Sequence, residues 1–153
     1  MKAVIEQYPN WETVLAPRII LGIWHVCHPL SQTFTIWTTD LQPKFIAPAS
    51  TILPFLPRYA ITMSIPEART YFFKHVHGFS VRYEYLASAE GDRFRKECAA
   101  AGKGLCCWTV NGREEMRNCA RWGVKSVISD KPEVWREIKR EVSAPPFIIV
   151  KGD

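Results

Sequence analysis

Short apolar runs alternate with amphipathic segments from residue 59 to residue 143, and this alternation is the strongest constraint on the fold. A short apolar run suits a buried β-strand, whereas apolar residues spaced three and four apart form one face of a helix. Strands that are joined by helices pair in parallel, because each helix returns the chain to the same end of the sheet. The sequence therefore predicts an α/β fold built on a parallel sheet.

Five strands and the helices between them can be placed from the residues that flank them. Proline and polar cap residues mark helix starts, and glycine marks helix ends. The predicted strands cover residues 18–24, 59–65, 79–86, 105–110 and 124–129. The predicted helices begin at Pro66, Ser88, Asn111 and Pro132, and a further polar helical stretch is predicted over residues 1–15.

The composition agrees with one globular domain and removes several other classes. The chain has 153 residues, a net charge of +5 and 47% hydrophobic residues, which excludes a disordered tail and a collagen-like repeat. No apolar run reaches the ~18 residues of a membrane span, and the first residues lack the apolar core of a signal peptide. Five cysteines without a C-x-x-C pair predict a reduced, intracellular chain. Basic and acidic residues are interleaved, so no nucleic-acid partner is predicted.

Two motifs in the second half of the chain carry a family resemblance. The sequence reads W-T-V-N at residues 108–111, and G-V-K-S-V-I-S-D-K-P at residues 123–132. This combination resembles the C-terminal end of glycerophosphodiester phosphodiesterases, whose pattern is W-T-V-N followed by G-V-D-x-I-x-T-D-x-P. Lys125 and Ser126 stand where the family usually has Asp-Gly, and Ser129 stands in place of Thr. The sequences I-L-G-I-W-H at residues 20–25 and P-K-F-I-A-P-A at residues 43–49 resemble the fungal branch related to phosphatidylglycerol phospholipase C.

The resemblance implies a partial TIM barrel. Residues 1–142 are expected to supply about strands 4 to 8, and the first three strands are expected to be absent. Residues 143–153 are expected to form a tail. The family hydrolyses phosphodiesters, using carboxylates to hold a divalent metal, Mg²⁺ or Ca²⁺, and two histidines for acid and base catalysis. The family motifs His-Arg-Gly, Glu-x-Asp with a following His-Asp, and strand Glu-x-Lys do not occur in this sequence. We therefore predict no catalytic residue and no metal ligand in this chain, and no hydrolysis by the chain alone.

Four residues can be carried over from the family as candidates for lining the substrate site. Trp108 matches a family tryptophan that packs against the glycerol or acyl-glycerol part of the substrate. Trp24 and His25 are expected at the end of the first predicted strand, facing the site, and Asn111 follows in the loop after Trp108. Trp108 could equally be a core or rim aromatic, and the residue order also allows Asn111 to be a helix N-cap. Asp130 is predicted to cap the last helix.

Two histidine pairs could be interpreted as metal ligands. They are His25-x-x-His28, which encloses Cys27, and His75-x-His77. Neither pair has a second pair at a zinc-like spacing, so a metal site is not predicted. His75 and His77 are instead expected at a helix end, where a positively charged imidazolium is favourable.

Residues 26–42 interrupt the family-like sequence. Removing them joins Trp24-His25 directly to Pro43-Lys44-Phe45, which restores the order seen in the fungal relatives. We interpret these 17 residues as a retained intron, and the alternative is a genuine surface insertion in a strand–helix loop. Sequencing the mature transcript across this junction decides between the two, because an intron would be missing from spliced messages.

Three functions remain open from the sequence. The chain could be part of a phospholipid-metabolising phosphodiesterase that acts on a glycerophosphodiester or a phosphatidylglycerol-type lipid. It could be a non-catalytic relative that binds phospholipid head groups or a protein partner, or a plain α/β module whose W-T-V-N match is fortuitous. An open barrel also exposes the strand edges at residues 18–24 and 124–129, which predicts poor solubility or self-association.

Overall fold

The computed structural model describes residues 2–24 and 46–143. The strands are β1 (Leu21–Trp24), β2 (Arg58–Thr62), β3 (Gly78–Arg82), β4 (Gly104–Trp108) and β5 (Ser126–Val127). The helices are α1 (Lys2–Ile5), α2 (Trp11–Val14), α3 (Ile46–Ile52), α4 (Ile65–Glu67), α5 (Tyr83–Ala87), α6 (Ala89–Ala100), α7 (Arg113–Arg121) and α8 (Pro132–Ser143). A 3₁₀ turn covers Ala16–Arg18, and α4 continues as a π-helix over Ala68–Phe72. The predicted insertion at 26–42, the histidines His25 and His28, and all but the first residue of the predicted tail lie outside the described residues.

The five strands form one parallel sheet in the order β1-β2-β3-β4-β5. This result confirms the predicted α/β fold. Because strands that are consecutive in sequence are also neighbours in the sheet, the chain winds in one direction and its helices form a layer on one face. The amino ends of all strands therefore lie at one edge of the sheet and the carboxyl ends at the other.

The main hydrophobic core lies between the sheet and this helical layer. From the strands it takes residues such as Phe79, Val81 and Cys107, which alternate with residues of the opposite face. The helices contribute apolar residues from their inner faces, and the rings of Phe79 and Phe94 meet edge to face at 5.1 Å. Other fully buried helical side chains of this core include Phe72, Leu86, Cys98, Met116, Cys119 and Ile138.

The opposite face of the sheet is dominated by one tyrosine. The side chain of Tyr59 crosses two neighbouring strands at Gly78 and Gly104, where an added Cβ would overlap the ring or its hydroxyl oxygen. Tyr59 is 3% exposed and lies outside the helix-side core. On the same face, Cys106 Sγ lies 2.8 Å from Ser126 Oγ. Cys106 and Cys107 therefore face opposite sides of a buried strand.

Several helix boundaries agree with the sequence, and the physical signals are local. Ser88 Oγ accepts a hydrogen bond from the backbone N–H of Gly91 at 2.9 Å, so Ser88 is the predicted N-cap of α6. Gly102 and Gly123 follow α6 and α7 with φ values of 65° and 69°. Glycine adopts this left-handed conformation without a steric penalty, which explains why both helices end there.

The predicted strand boundaries were less accurate. The strand predicted over 79–86 ends at Arg82, and Tyr83 begins the short helix α5. The physical reason is that Arg82 pairs with the last residue of β4, Trp108, so a longer strand would have no partner on that side. The strand predicted over 18–24 begins only at Leu21, and the one over 124–129 is reduced to Ser126–Val127.

A smaller apolar cluster covers the amino end of the first two strands. It contains Ile5 and Ala16 from the segment before β1, and Leu53 and Leu56 from the segment before β2. The rings of Trp11 and Phe55 pack edge to face at 4.7 Å at its margin. The N-terminal helices are therefore packed structure and not a free tail. No helix in the described ranges combines the length and the apolar character needed to cross a bilayer.

Candidate functional site

The carboxyl ends of the strands meet at one edge of the sheet, where barrel enzymes bind their substrates. We call this edge the carboxyl rim and define it by Met63, Arg82, Trp108, Asn111 and Ile128, which end or follow β2 to β5. Met63 and Ile128 are 50% and 54% exposed, although both are apolar. The rim therefore combines aromatic, apolar and cationic groups.

Trp108 and Arg82 are neighbours at this rim. They are paired in the register of β3 and β4, and both are the last residues of their strands. Trp108 is partly buried, and its peptide bond to Thr109 is cis. The Arg82 guanidinium forms a 2.9 Å ion pair with Glu84, and both side chains are well exposed. This arrangement places a cation beside the candidate substrate-lining tryptophan.

Asn111 ties the loop after β4 to the loop after β5. Its Oδ1 accepts hydrogen bonds from Ser129 Oγ at 3.0 Å and from the backbone N–H of Asp130 at 2.9 Å. Its Nδ2 donates to the Asp130 carboxylate at 2.8 Å. We call this arrangement the loop clamp. It joins the two family-like motifs, W-T-V-N and S-D-K-P, in one hydrogen-bonded unit.

The prediction that Asn111 caps helix α7 is wrong. The N-cap residue is Gly112, and the Glu115 side chain accepts a hydrogen bond from the backbone N–H of Gly112 at 3.2 Å. Asn111 cannot serve the helix because both ends of its amide are used in the loop clamp. The Asp130 carboxylate, which was expected to cap α8, accepts a hydrogen bond from Asn111.

The other two predicted site residues are only partly accounted for. Trp24 is the last residue of β1, and its backbone is in register with Ile61 of β2. His25 lies outside the described residues. The structure therefore places Trp108 at the end of β4 and Asn111 in the loop that follows it, with the end of β1 at the same edge of the sheet. Sequence reasoning missed Arg82, Met63 and Ile128, whose only signal is their position at strand ends.

The described residues do not fit a divalent metal. No group of three His, Cys, Asp or Glu side chains that could hold an ion occurs in residues 2–24 and 46–143. The carboxylates at the rim are engaged elsewhere, since Glu84 pairs with Arg82 and Asp130 accepts from Asn111. We therefore derive no catalytic step through a metal from this part of the chain.

The buried cysteines are unsuited to nucleophilic chemistry. Burial raises the pKa of the Cys98 thiol to about 12 and also raises the pKa of Cys106. Hydrogen bonding with Cys119, followed by burial, raises the pKa of Cys107. A thiol with a raised pKa stays protonated near neutral pH and is a weak nucleophile. These residues contribute to packing.

His75 and His77 lie before β3, at the end of the sheet opposite the carboxyl rim. His77 Nδ1 accepts a hydrogen bond from the backbone N–H of Arg58 at 3.1 Å, so this nitrogen carries no proton. Burial, and then the positive charges of Arg58 and Lys103, lower the pKa of His77. The prediction of a favoured imidazolium is therefore wrong for His77, because its surroundings favour the neutral ring.

A singly wound parallel sheet with a helical layer and a loop-built rim at its carboxyl edge defines part of a (β/α) barrel. The chain belongs to the Glycerophosphoryl diester phosphodiesterase family, whose model matches residues 32–134. This match confirms the family resemblance and includes Trp108 and Asn111. It does not reach Trp24 and His25. No curated protein sequence is significantly similar to the chain.

Two solved structures show the same fold. A protein described as a glycerophosphoryl diester phosphodiesterase from Silicibacter pomeroyi superposes with a TM-score of 0.52 at 18% identity, over 64% of this chain and 35% of that one. A phosphodiesterase from Oleispira antarctica, in complex with the product sn-glycerol-3-phosphate, superposes with a TM-score of 0.51 at 19% identity, over 61% of this chain and 37% of that one. This chain thus spans about a third of the length of either structure.

Proposed function

We propose that this chain forms the substrate-facing part of a glycerophosphodiester phosphodiesterase-type barrel of phospholipid metabolism, and that it does not hydrolyse phosphodiesters alone. The observation that carries the proposal is the carboxyl rim, where Trp108 and Arg82 are register neighbours beside the loop clamp of Asn111. The metal-binding and acid–base motifs of the family are missing from this sequence. A divalent cation, Mg²⁺ or Ca²⁺, would supply charge stabilisation in the complete enzyme.

The side chains of the rim support a lipid-derived substrate. The indole of Trp108 offers an apolar face to a glycerol or acyl-glycerol group, and the half-exposed Met63 and Ile128 extend that apolar surface. Arg82 supplies a cation to the phosphate, in exchange for its ion pair with Glu84. These residues bind and orient the substrate. They favour a phosphatidylglycerol-type lipid, as in the fungal phospholipase C-like branch, over a purely polar diester.

The described cysteines support an intracellular site of action. Cys98, Cys106, Cys107 and Cys119 are all buried and form no disulfide. Unpaired thiols are typical of reducing compartments. We propose that the protein works inside the cell. Imaging of the tagged full chain would identify the compartment.

The proposal predicts that the purified 153-residue chain does not hydrolyse glycerophosphocholine or phosphatidylglycerol. The physical reason is that no described cluster holds a metal and no family histidine motif is present. The measurement is release of the alcohol product with Mg²⁺ or Ca²⁺ and with EDTA. An EDTA-sensitive activity that co-purifies with the chain, and that disappears in a Trp108→Ala variant, would show that a catalytic centre exists here.

A non-catalytic role is the second candidate, and the loop clamp favours it. Asn111, Ser129 and Asp130 keep the two rim loops ordered although the catalytic motifs are missing. Such a chain would hold a phospholipid head group, or a protein partner, without turnover. The genomic sequence upstream of Met1 separates the two candidates, because an open frame that encodes His-Arg-Gly and Glu-x-Asp supports the enzyme.

We also propose that the chain self-associates through its outer strands. Among the described residues, β1 pairs only with β2, and β5 pairs only with β4, so each strand has one unpaired backbone edge. Unpaired strand edges promote association between chains. We expect sedimentation velocity to give dimers or larger species at micromolar concentration. A monodisperse monomer that unfolds cooperatively would contradict this prediction.

A further inference from the structure

Three basic residues form a continuous row at the amino end of the sheet, opposite the carboxyl rim. Tyr59, Gly78 and Gly104 are paired across β2, β3 and β4, so the residues that precede them, Arg58, His77 and Lys103, are also adjacent. The backbone N–H of His77 donates to the Arg58 carbonyl at 2.8 Å, and the N–H of Gly104 donates to the His77 carbonyl at 3.1 Å. Neighbouring strands lie about 4.8 Å apart, so the three side chains start within about 10 Å of one another. We call them the amino-end row.

Each member of the amino-end row offers N–H donors that the fold does not use. The neutral His77 ring carries its proton on Nε2, because Nδ1 accepts from Arg58. Lys103 Nζ donates one hydrogen bond, to the Val76 carbonyl at 2.6 Å, lies 5.1 Å from the centre of the Phe73 ring, and has two further N–H groups. Arg58 makes one long hydrogen bond, 3.4 Å from Nη1 to the Leu56 carbonyl, and its Nε is buried without a hydrogen-bond partner. Because that Nε is closed to solvent, the terminal nitrogens of Arg58 are the donors that an acceptor from outside would reach.

The amino-end row also lacks negative charge. Arg58 and Lys103 form no ion pair with any carboxylate of the described residues, whereas Arg69, Arg82, Arg95, Arg113 and Arg117 all do. Glu97 is held by Arg69, with 2.7 Å between its Oε2 and the arginine Nε. The positive potential is large enough to contribute to the lowered pKa of His77.

We propose that Arg58, His77 and Lys103 form a binding site for a phosphate monoester group. Two cations on either side of a neutral N–H donor suit a dianion, whose three terminal oxygens can accept hydrogen bonds from all three side chains. A carboxylate has two oxygens and would leave one donor unused. The site lies at the other end of the strands from the carboxyl rim. It is therefore independent of the proposed catalytic-family function, and either can fail without the other.

Inorganic phosphate is the probe for this site in the full chain. We expect the ¹H–¹⁵N signals of His77 and Lys103 to shift saturably as phosphate is added at constant ionic strength with chloride. Arg58→Gln and Lys103→Gln should each weaken binding by about tenfold, since each removes a charge-assisted hydrogen bond. Arg136→Gln and Lys139→Gln are matched controls, because each removes the same charge from helix α8, which packs mainly against α7. Both controls should leave the affinity within about twofold of the original protein.

The source of the phosphate group is resolved by a second arm with lipid vesicles. Phosphatidylcholine vesicles with and without phosphatidic acid present the same monoester on a membrane. Flotation with phosphatidic acid that is lost in Arg58→Gln identifies a lipid head group, and binding of free phosphate without flotation identifies a soluble ligand. The proposal is wrong if neither probe binds, or if the α8 controls weaken binding as much as the row variants do. If Arg58→Gln fails to fold, Arg58→Lys replaces it in both arms, because it keeps the charge but removes the guanidinium donors.

Discussion

Replacing Gly104 with alanine is expected to lower the free energy of unfolding by about 3 kcal/mol. The added Cβ would overlap the hydroxyl oxygen of Tyr59. Tyr59 is almost fully buried and also lies over Gly78, so its ring cannot move aside without disturbing the neighbouring strand. Urea unfolding followed by circular dichroism measures the loss. Gly22→Ala is the matched control in β1, because its Cβ would meet only the flexible end of Ile61, at 3.0 Å.

A second substitution can test which atom causes the clash at Gly104. Tyr59→Phe removes the hydroxyl, and the next atom, Tyr59 Cζ, is 2.9 Å from the added Cβ, so the double variant should recover part of the lost stability. At Gly78 the added Cβ would overlap the carbonyl oxygen of Gly104, which is backbone. Gly78→Ala should therefore be as harmful and should not be rescued by Tyr59→Phe. Equal rescue at both glycines would show that Tyr59 is not seated across the strands as described.

Asn111→Asp is expected to destabilise the chain at neutral pH more than Asn111→Ala does. The alanine variant loses the three hydrogen bonds of the loop clamp, at about 1 kcal/mol each. The aspartate variant keeps an acceptor for Ser129 and for the backbone N–H of Asp130, but it places a second carboxylate against the carboxylate of Asp130. Two like charges at hydrogen-bond distance repel strongly. Thermal unfolding of both variants between pH 4 and pH 8 measures the difference.

The sign of the pH dependence follows from this repulsion. In the folded Asn111→Asp variant one carboxylate holds a proton more tightly than in the unfolded chain. The loss of unfolding free energy relative to the original protein, here called the stability deficit, therefore grows as pH rises. Acidification toward the ordinary pKa of aspartic acid, about 4, should shrink the deficit, whereas the deficit of Asn111→Ala should stay nearly constant. The swap of Asn111→Asp with Asp130→Asn restores a donor–acceptor pair and should recover stability at pH 7. If the swap is no better than the single variant, the clamp is not the reason for the loss.

Local signals in the sequence were enough to predict the class of fold and most of the core. The alternation of apolar runs and amphipathic segments predicted the parallel sheet. Of the apolar helix residues whose spacing predicts an inward face, Phe94, Cys98, Met116, Cys119 and Ile138 are buried, whereas Ala101 and Val142 are exposed. Ser88, Gly102 and Gly123 were correctly placed at helix ends because capping and positive φ depend on a few adjacent residues. Strand ends were harder to predict from the sequence, since a strand ends where its neighbour stops pairing. Arg82 shows this, because its partner Trp108 ends β4.

The sequence shows the candidate site as two separate motifs. The geometry of the site, however, depends on hydrogen bonds between the two motifs. Asn111 was expected to cap the helix that follows it, and the local order of residues supported that interpretation. In the structure its amide is taken by Ser129 and Asp130, which are 18 and 19 residues away in the chain. The choice between a local and a distant hydrogen bond depends on which loop lies alongside, and a sequence pattern does not contain that information.

The sequence by itself determined the parallel α/β fold, the family and the missing catalytic motifs, because each depends on residue types at fixed local spacing. Only the tertiary structure decided which scattered residues meet. Arg58, His77 and Lys103 stand far apart in a chain whose basic and acidic residues are interleaved, and no charged stripe is visible in the sequence. Parallel pairing places the start of every strand at the same edge, so three isolated basic residues become one row with few acceptors.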